Sequence, residues 1–433
     1  MAEWFKAAVL KTVDRKVRGF ESLSLRQHCL VLVLASLFAR LAPLAPRSGR
    51  TAGFPRLRAF GAAASSRPGS LRSRRLQMLF FSSLPILLGA FFLLDLEPGF
   101  EAPPLAIEVS VRARRLHAEA IVIDLHVDSL LWPRDLSRSQ EGGHVDFPRM
   151  RQGGLDAATF TLPTRFFGVA GLKAFHDLWP PATWVSPWER LVYQLDKTRS
   201  WTDAQLLKDT SAIRRNHAEG KLSYFHGVEG AHALEGELSR VAELRERGVL
   251  FIGLVHLRDN EIGGSSSGSE HGLTELGRKL IGEMNRNGIL VDLAHASTKT
   301  FFEAVELTTL PPIVSHTGVR SVHDSWRNLR DDQIREVSER GGVIGVMLAP
   351  PALREQSLEE AVRHLEHVIE VGGEDAAAIG SDFDGYVDPA IDVAGLPALT
   401  ELMLRRGFSE ERVRKILGEN ALRVLEALFT PRE

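Results

Sequence analysis

Residues 272–297 read GLTELGRKLIGEMNRNGILVDLAHAS, and this stretch decides the fold. Apolar residues recur at helical spacing through Leu273–Asn287, and Gly288 is a stop signal. The apolar, β-branched run Ile289–Leu293 follows, and His295 comes just after it. The chain therefore moves from helix to strand to a polar side chain at the strand's C-terminal end. The same unit recurs. Strand-like runs lie at Ala120–Leu125, Ala157–Leu162, Leu222–Val228 and Leu250–Val255, and again at Ile313–Ser315, Val343–Leu348 and Ala377–Gly380. Helical patterns separate most of them, for example Asp331–Arg340 before Gly341-Gly342. Eight strands alternating with helices imply an α/β fold, a (β/α)8 TIM-type barrel with insertions. A doubly wound open sheet is the alternative. No GxGxxG or P-loop opens a helix, so nothing supports nucleotide binding.

Five pieces of this pattern end in side chains able to bind metal. They are His126 and Asp128 in IDLHVDS, Glu229 in FHGVEGAH, His295 in VDLAHAS, His316 in IVSHTG and Asp382 in IGSDFDG. In a barrel the strand C-termini share one face, where the connecting loops build the site. His126 and Asp128 are spaced i, i+2, so an extended chain points both to one side. Glu229 ends an apolar strand between Gly227 and Gly230, where an unpaired charge is costly and a cation would pair it. Taken singly, each is equally well a capped, ion-paired or hydrogen-bonded residue; together they describe a reaction centre. They suffice for two ions bridged by Glu229, roughly 3.5–4 Å apart, able to share a hydroxide and polarise a carbonyl. Zinc suits a nitrogen-rich set without thiolates, with manganese and iron as alternatives. Asp382 is surplus to the ligand set and free for proton transfer; Asp384 reads as a turn residue before Gly385.

Charge is distributed unevenly. Residues 1–76 hold 15 Lys/Arg and 3 Asp/Glu, whereas the remainder holds 38 and 52, net −14. The overall net charge of −2 argues against nucleic-acid binding. Residues 1–76 read as a basic tail, disordered around Arg47–Arg75. Residues 77–95 contain the uncharged run Met78–Leu94 behind Arg72, Arg74 and Arg75. That run reads as a transmembrane signal-anchor with the body outside the cytoplasm, followed by a linker at 96–110 and the catalytic domain at 111–430. The single cysteine, Cys29, lies in the tail, so the body has no internal disulfide and no thiolate metal site. Residues 165–203 carry Trp179, Trp184 and Trp188 and read as either a packed surface excursion or a lid.

Several longer pieces carry a resemblance. VIDLHVDSLLW, HVDFPRMRQGG, GVEGAHAL, GLTELGRKLIGEMNRNGILVDLAHAS, PPIVSHTGVRSVHDSWRN and IGSDFDG occur in that order, with HLEHVIEVGG and RVRKILGENALRVLEAL near the C-terminus. Over about residues 115–428 the chain resembles the membrane (renal) dipeptidases, binuclear zinc peptidases of the amidohydrolase-like barrels. The resemblance implies two Zn2+ per chain and hydrolysis of dipeptides by a hydroxide bridging the ions. His126, Asp128 and Glu229 would hold one ion, and Glu229, His295 and His316 the other. His256, in GLVHLRDN, would stabilise the oxyanion and contact substrate; Arg327, in SWRN, would bind the substrate carboxylate; Asp382 would be the acid/base. It also implies a homodimer. Animal members carry disulfides and a C-terminal lipid anchor, and this chain has neither, which suggests a bacterial member with the enzyme in the periplasm. Related activities on N-acyl amino acids, lactones or β-lactams, and a non-catalytic membrane-tethered binding role, are the alternatives.

Overall fold

A computed structural model describes residues 107–139, 142–165 and 170–429. The tail and anchor expected from the sequence, and most of the linker, lie outside these residues. Among the described residues, no helix is long and apolar enough to cross a membrane.

Among the described residues, nine strands form one parallel sheet: β1 (Ile123–Val127), β2 (Ala157–Pro163), β3 (Ala204–Leu206), β4 (Leu222–Glu229), β5 (Val249–Gly253), β6 (Leu290–Asp292), β7 (Ile313–Thr317), β8 (Val343–Val346) and β9 (Ala377–Ile379). The sheet runs β2-β1-β9-β8-β7-β6-β5-β4, and β2 also pairs with β4 from Ala157↔Ser223 to Pro163↔Glu229. That pairing closes an eight-stranded barrel. β3 is extra: it pairs with the first residues of β4, on Leu222, Ser223 and Tyr224. The eight barrel strands are those expected from the sequence, with ends shifted by up to three residues; β3 was not foreseen. Nearly all strand residues are buried, as a parallel sheet covered on both faces requires.

In chain order the helices are α1 (Val111–Glu119), α2 (Phe147–Gly153), α3 (Ala170–His176), α4 (Pro187–Lys197), α5 (Ser211–Ala218), α6 (Arg240–Glu246), α7 (Glu275–Asn287), α8 (Thr298–Leu307), α9 (Asp331–Glu339), α10 (Leu358–Gly372), α11 (Leu396–Arg405), α12 (Glu410–Arg414) and α13 (Asn420–Phe429). α7 shows how local sequence sets their limits. The Thr274 hydroxyl accepts from the Gly277 N–H at 3.1 Å and caps the start. Gly288, at φ 64°, caps the end in the left-handed conformation. Gly277, Leu280, Ile281 and Met284 form the buried stripe between them. At the opposite end of the barrel from the ligands, the first residues Ile123, Leu290, Ile313 and Val343 share an apolar cluster with Ala421, Leu422 and Leu425 of α13. The ligand-bearing ends are left to the loops.

The Trp-containing insertion is packed where it is described. Gln194 of α4 donates to Pro163 O at 3.0 Å, and Arg190 donates to Thr164 O at 2.8 Å. Lys197 donates to Leu130 O and Trp132 O at 2.9 and 3.1 Å. Trp179 and Trp188 are buried. α4 is thereby tied to the ends of β1 and β2.

Candidate metal centre

All eight side chains singled out in the sequence come together at the C-terminal mouth of the barrel, and all are buried. His126 lies within β1, with Asp128 one residue beyond it; Glu229 is the last residue of β4; His316 lies within β7. His256, His295 and Asp382 each sit three residues past β5, β6 and β9. His295 and Asp382 hold left-handed backbone, at φ 63° and 64°. Non-glycine residues rarely adopt this conformation, and sites that must aim a side chain tolerate its cost.

Glu229 is the hub. Its Oε1 lies 3.6, 3.2 and 3.5 Å from Nε2 of His126, His295 and His316. Its Oε2 lies 3.5 Å from His256 Nε2. His126 Nε2 is 3.5 Å from Asp128 Oδ1 and 3.8 Å from Asp382 Oδ1, and the Nε2 atoms of His295 and His316 are 3.1 Å apart. Among the described residues, three groups of potential ligands have atoms within 4.8 Å of one another: His126, Asp128 and Glu229; Glu229, His295 and His316; His126, His316 and Asp382. With metal–ligand bonds of about 2.0–2.1 Å, a tetrahedral site has ligand–ligand edges of about 3.3 Å. The separations within the first two groups fit that size.

Hydrogen bonding points the same way. His126 Nε2 and Glu229 Oε2 are buried without a hydrogen-bond partner, an expensive state unless a cation takes their lone pairs. Burial, with Asp128 nearby, holds the Glu229 carboxyl well above its usual range. Burial also raises Asp382 to about 7, reinforced by Asp128 and opposed by His126 and Arg327. His126 would be lowered by burial, but the Asp128, Glu229 and Asp382 carboxylates bring it to about 9. His295 and His316 are held well below the ordinary value by burial and by surrounding cations, and His256 is lowered to about 3. Crowded carboxylates among buried imidazoles are a donor set that divalent cations satisfy, and its nitrogen and oxygen composition suits zinc.

Arg327 is buried. Its guanidinium donates to His316 O at 2.7 Å and lies 3.2 Å from His295 Nε2. Asp384 is more than a turn residue. Its carboxylate accepts from the His144 N–H at 2.6 Å and the Ser129 hydroxyl, and pairs with Arg134 at 2.6 Å. It thereby ties the β9 loop to the β1 loop.

Sequence reasoning missed the groups behind the ligands. Thr161 donates to Asp128 Oδ1. Asp124 Oδ1 accepts from the N–H groups of His126 and Ser381 at 3.0 and 2.9 Å. Asp292 Oδ1 accepts from those of Ala294 and Ser315 at 3.0 and 2.9 Å. The available signal was an aspartate inside an apolar strand shortly before a ligand, as in IDLH and VDLAH.

The membrane dipeptidase family model (peptidase family M19) matches residues 110–430. Dipeptidase tcpJ of Claviceps purpurea (strain 20.1) is 29% identical over 322 residues, covering 72% of this chain and 74% of that protein. Among solved structures, dipeptidase AC, a metallo peptidase of the same family, is 30% identical with a TM-score of 0.61, over 71% of this chain and 98% of its own. A metallo peptidase from Rhodobacter sphaeroides, liganded with a phosphinate mimic of the dipeptide L-Ala-D-Ala, is 29% identical with a TM-score of 0.61, over 72% of this chain and 100% of its own. A barrel closed around a Glu229-centred ligand set, matched along its whole length by this family, places the chain in the membrane dipeptidases, a family of metal-dependent peptide hydrolases.

Proposed function

We propose that the protein hydrolyses dipeptides with two zinc ions, one held by His126, Asp128 and Glu229 and the other by Glu229, His295 and His316. The observation that carries this reading is the meeting of both ligand groups on one buried carboxylate, with Glu229 Oε1 within 3.6 Å of three imidazole nitrogens. When bound, such a pair supplies Lewis acidity toward a carbonyl and a water of lowered pKa.

The remaining roles belong to the side chains. Asp382 is a buried carboxyl whose Oδ1 lies 3.8 Å from His126 Nε2, beside the ligand set and placed to exchange a proton. It takes the proton of the attacking water and delivers it to the leaving amine nitrogen. His256 stays neutral at neutral pH because burial lowers it to about 3. One ring N–H is thus available to donate to the oxyanion that forms on the scissile carbonyl. Arg327 is charged, buried and beside the ligands, and a guanidinium grips a carboxylate in two places. It selects substrates whose free C-terminus lies one residue from the scissile bond. A phosphinate dipeptide mimic bound to the Rhodobacter sphaeroides relative supports the same substrate class. The membrane anchor, the location outside the cytoplasm and the homodimer belong to the same proposal and rest on the sequence alone.

The test is a dipeptide panel assayed before and after chelation and after zinc is restored, with bound zinc counted. Two ions per chain and chelator-reversible dipeptide turnover are expected. Turnover that survives complete metal removal sinks the reading. Arg327→Met should abolish dipeptide hydrolysis; if it leaves dipeptides untouched but ends hydrolysis of a neutral lactone, the carboxylate role is wrong.

A further inference from the structure

Behind the ligands, one hydroxyl serves two of them. Ser315 Oγ is 3.2 Å from His126 Nδ1 and 2.9 Å from His316 Nδ1. The same oxygen is 2.6 Å from Asp292 Oδ2. Serine is fully buried here, and so is the ring of each histidine. These three contacts leave little freedom. A carboxylate only accepts, so the single hydroxyl proton goes to Asp292. Both lone pairs of Oγ then face Nδ1 atoms, and both Nδ1 atoms must donate. Asp292 is fixed in turn, because Oδ1 already takes the Ala294 and Ser315 N–H groups.

We infer that Ser315, held by Asp292, is a positioning residue that sets the ring orientation and the Nδ1–H form of His126 and His316 together. This deepens the proposed function, on which the assignment of the two rings to different ions rests. His126 belongs to one ligand group and His316 to the other, so one hydroxyl presents an Nε2 lone pair to each ion site. Outer partners of this kind fix the tautomer and raise ligand basicity. His295 lacks the arrangement, since its Nδ1 is buried with no partner.

The chemistry makes an asymmetric prediction. Ser315→Ala removes the acceptor from both rings. Asp292→Asn does something different. The amide oxygen must stay at the Oδ1 position, because the reverse orientation would set an NH2 against two backbone donors. The NH2 then occupies the Oδ2 position and donates to Ser315 Oγ. One lone pair is used up, and the hydroxyl proton turns toward one imidazole, whose Nδ1 must lose its proton. A substitution that preserves shape thus reverses the polarity of the relay.

The experiment uses full-length protein with 15N-labelled histidine, stripped of metal, and reads which ring nitrogens carry protons. Substitutions of His126 and His316 assign the signals. In the wild type, both Nδ1 atoms should be protonated whatever the charge at Nε2. An Nδ1 without a proton in either ring overturns the inference with no variant needed. Zinc affinity is then measured by chelator competition. Ser315→Ala should weaken binding roughly 10- to 100-fold, the usual cost of losing an outer partner. Asp292→Asn should weaken it at least as much, with one ring changed in its proton pattern. Variants that keep both the wild-type proton pattern and wild-type affinity overturn the inference. Failure of the wild type to bind zinc would refute the proposed function while leaving the proton pattern as a separate result.

Discussion

The barrel uses one bracing device at two seams and puts it to different ends. At the β6–β7 seam, Asp292 Oδ1 accepts from Ala294 and Ser315 N–H; at the β1–β9 seam, Asp124 Oδ1 accepts from His126 and Ser381 N–H. In each case a buried strand aspartate clips the backbone of the neighbouring strand, just before a site residue, His316 or Asp382. The difference lies in the second oxygen and in the serine. Asp292 Oδ2 takes the Ser315 hydroxyl, which faces two imidazoles. Asp124 Oδ2 has no hydrogen-bond partner, and the Ser381 hydroxyl donates to His126 O at 3.2 Å and accepts from Phe383 N–H at 3.0 Å. One seam shapes ligands and the other shapes backbone. Substitutions at matching positions should therefore fail in different measurements.

The largest effect is expected where the seams meet. A Cβ at Gly380 would lie 1.8 Å from Ser315 O, a backbone atom that no rotamer change can move. Gly380→Ala should destabilise the fold by about 3 kcal/mol or more, the upper end of overpacking costs. Denaturant titration reads it; a midpoint like the wild type would mean that β7 and β9 are not packed this closely.

Next comes acid, which should strike the scaffold rather than either seam. His226 of β4 is fully buried against Phe160 O and Thr198, and burial lowers it to about 4 from 6.5. Because the folded pKa lies below the unfolded one, the unfolded chain binds the extra proton. Stability is intact above pH 6.5 and falls as the pH drops toward 4. For one buried group the loss is about 3 kcal/mol over that window. His226→Gln should flatten the slope of unfolding free energy against pH by one proton. An unchanged slope would place the acid sensitivity elsewhere.

Legibility in the sequence divides along the same line. The ligands could be read because histidine and acidic side chains are conspicuous beside apolar strands, and because barrel topology puts all strand ends on one face. The strands could be read from their β-branched runs. β3 could not: it has three residues, one of them the exposed Gln205, and its identity comes only from pairing with β4. The two seams could not either. Aspartate and serine are ordinary residues, and their partners lie 23 positions away at Asp292–Ser315 and 257 at Asp124–Ser381. A contact between neighbouring strands has no local pattern to betray it. Asp384 was misjudged for the same reason, its partners being Ser129, Arg134 and His144.

Ser381→Ala removes one hydroxyl from the β1–β9 seam and touches no imidazole. A cost of about 1 kcal/mol is expected, typical of one buried hydrogen bond. Zinc affinity should stay within about 3-fold, well inside the loss expected of an outer ligand partner. If affinity falls as far as it does for Ser315→Ala, the two serines are equivalent and the comparison collapses.

Asp124→Asn is the smallest change and the most demanding test. Asparagine keeps the acceptor at Oδ1 for the two backbone N–H groups. Its NH2 replaces an oxygen that has no partner, beside a Ser381 hydroxyl with a lone pair to spare. Burial holds the Asp124 carboxyl above its ordinary value, so its ionised form costs stability at neutral pH and the amide relieves that cost. An NH2 with one hydrogen still unsatisfied offsets part of the gain. The two effects should leave stability within about 1 kcal/mol of the wild type. No hydroxyl that faces an imidazole is turned, so zinc affinity should hold. Asp292→Asn makes the same chemical change at the other seam and should weaken zinc binding sharply. Run side by side in thermal melts and chelator competition, the pair isolates polarity from shape. Equal losses of zinc affinity would show that any strand aspartate supports the site, and that the turn of Ser315 toward His126 and His316 is incidental.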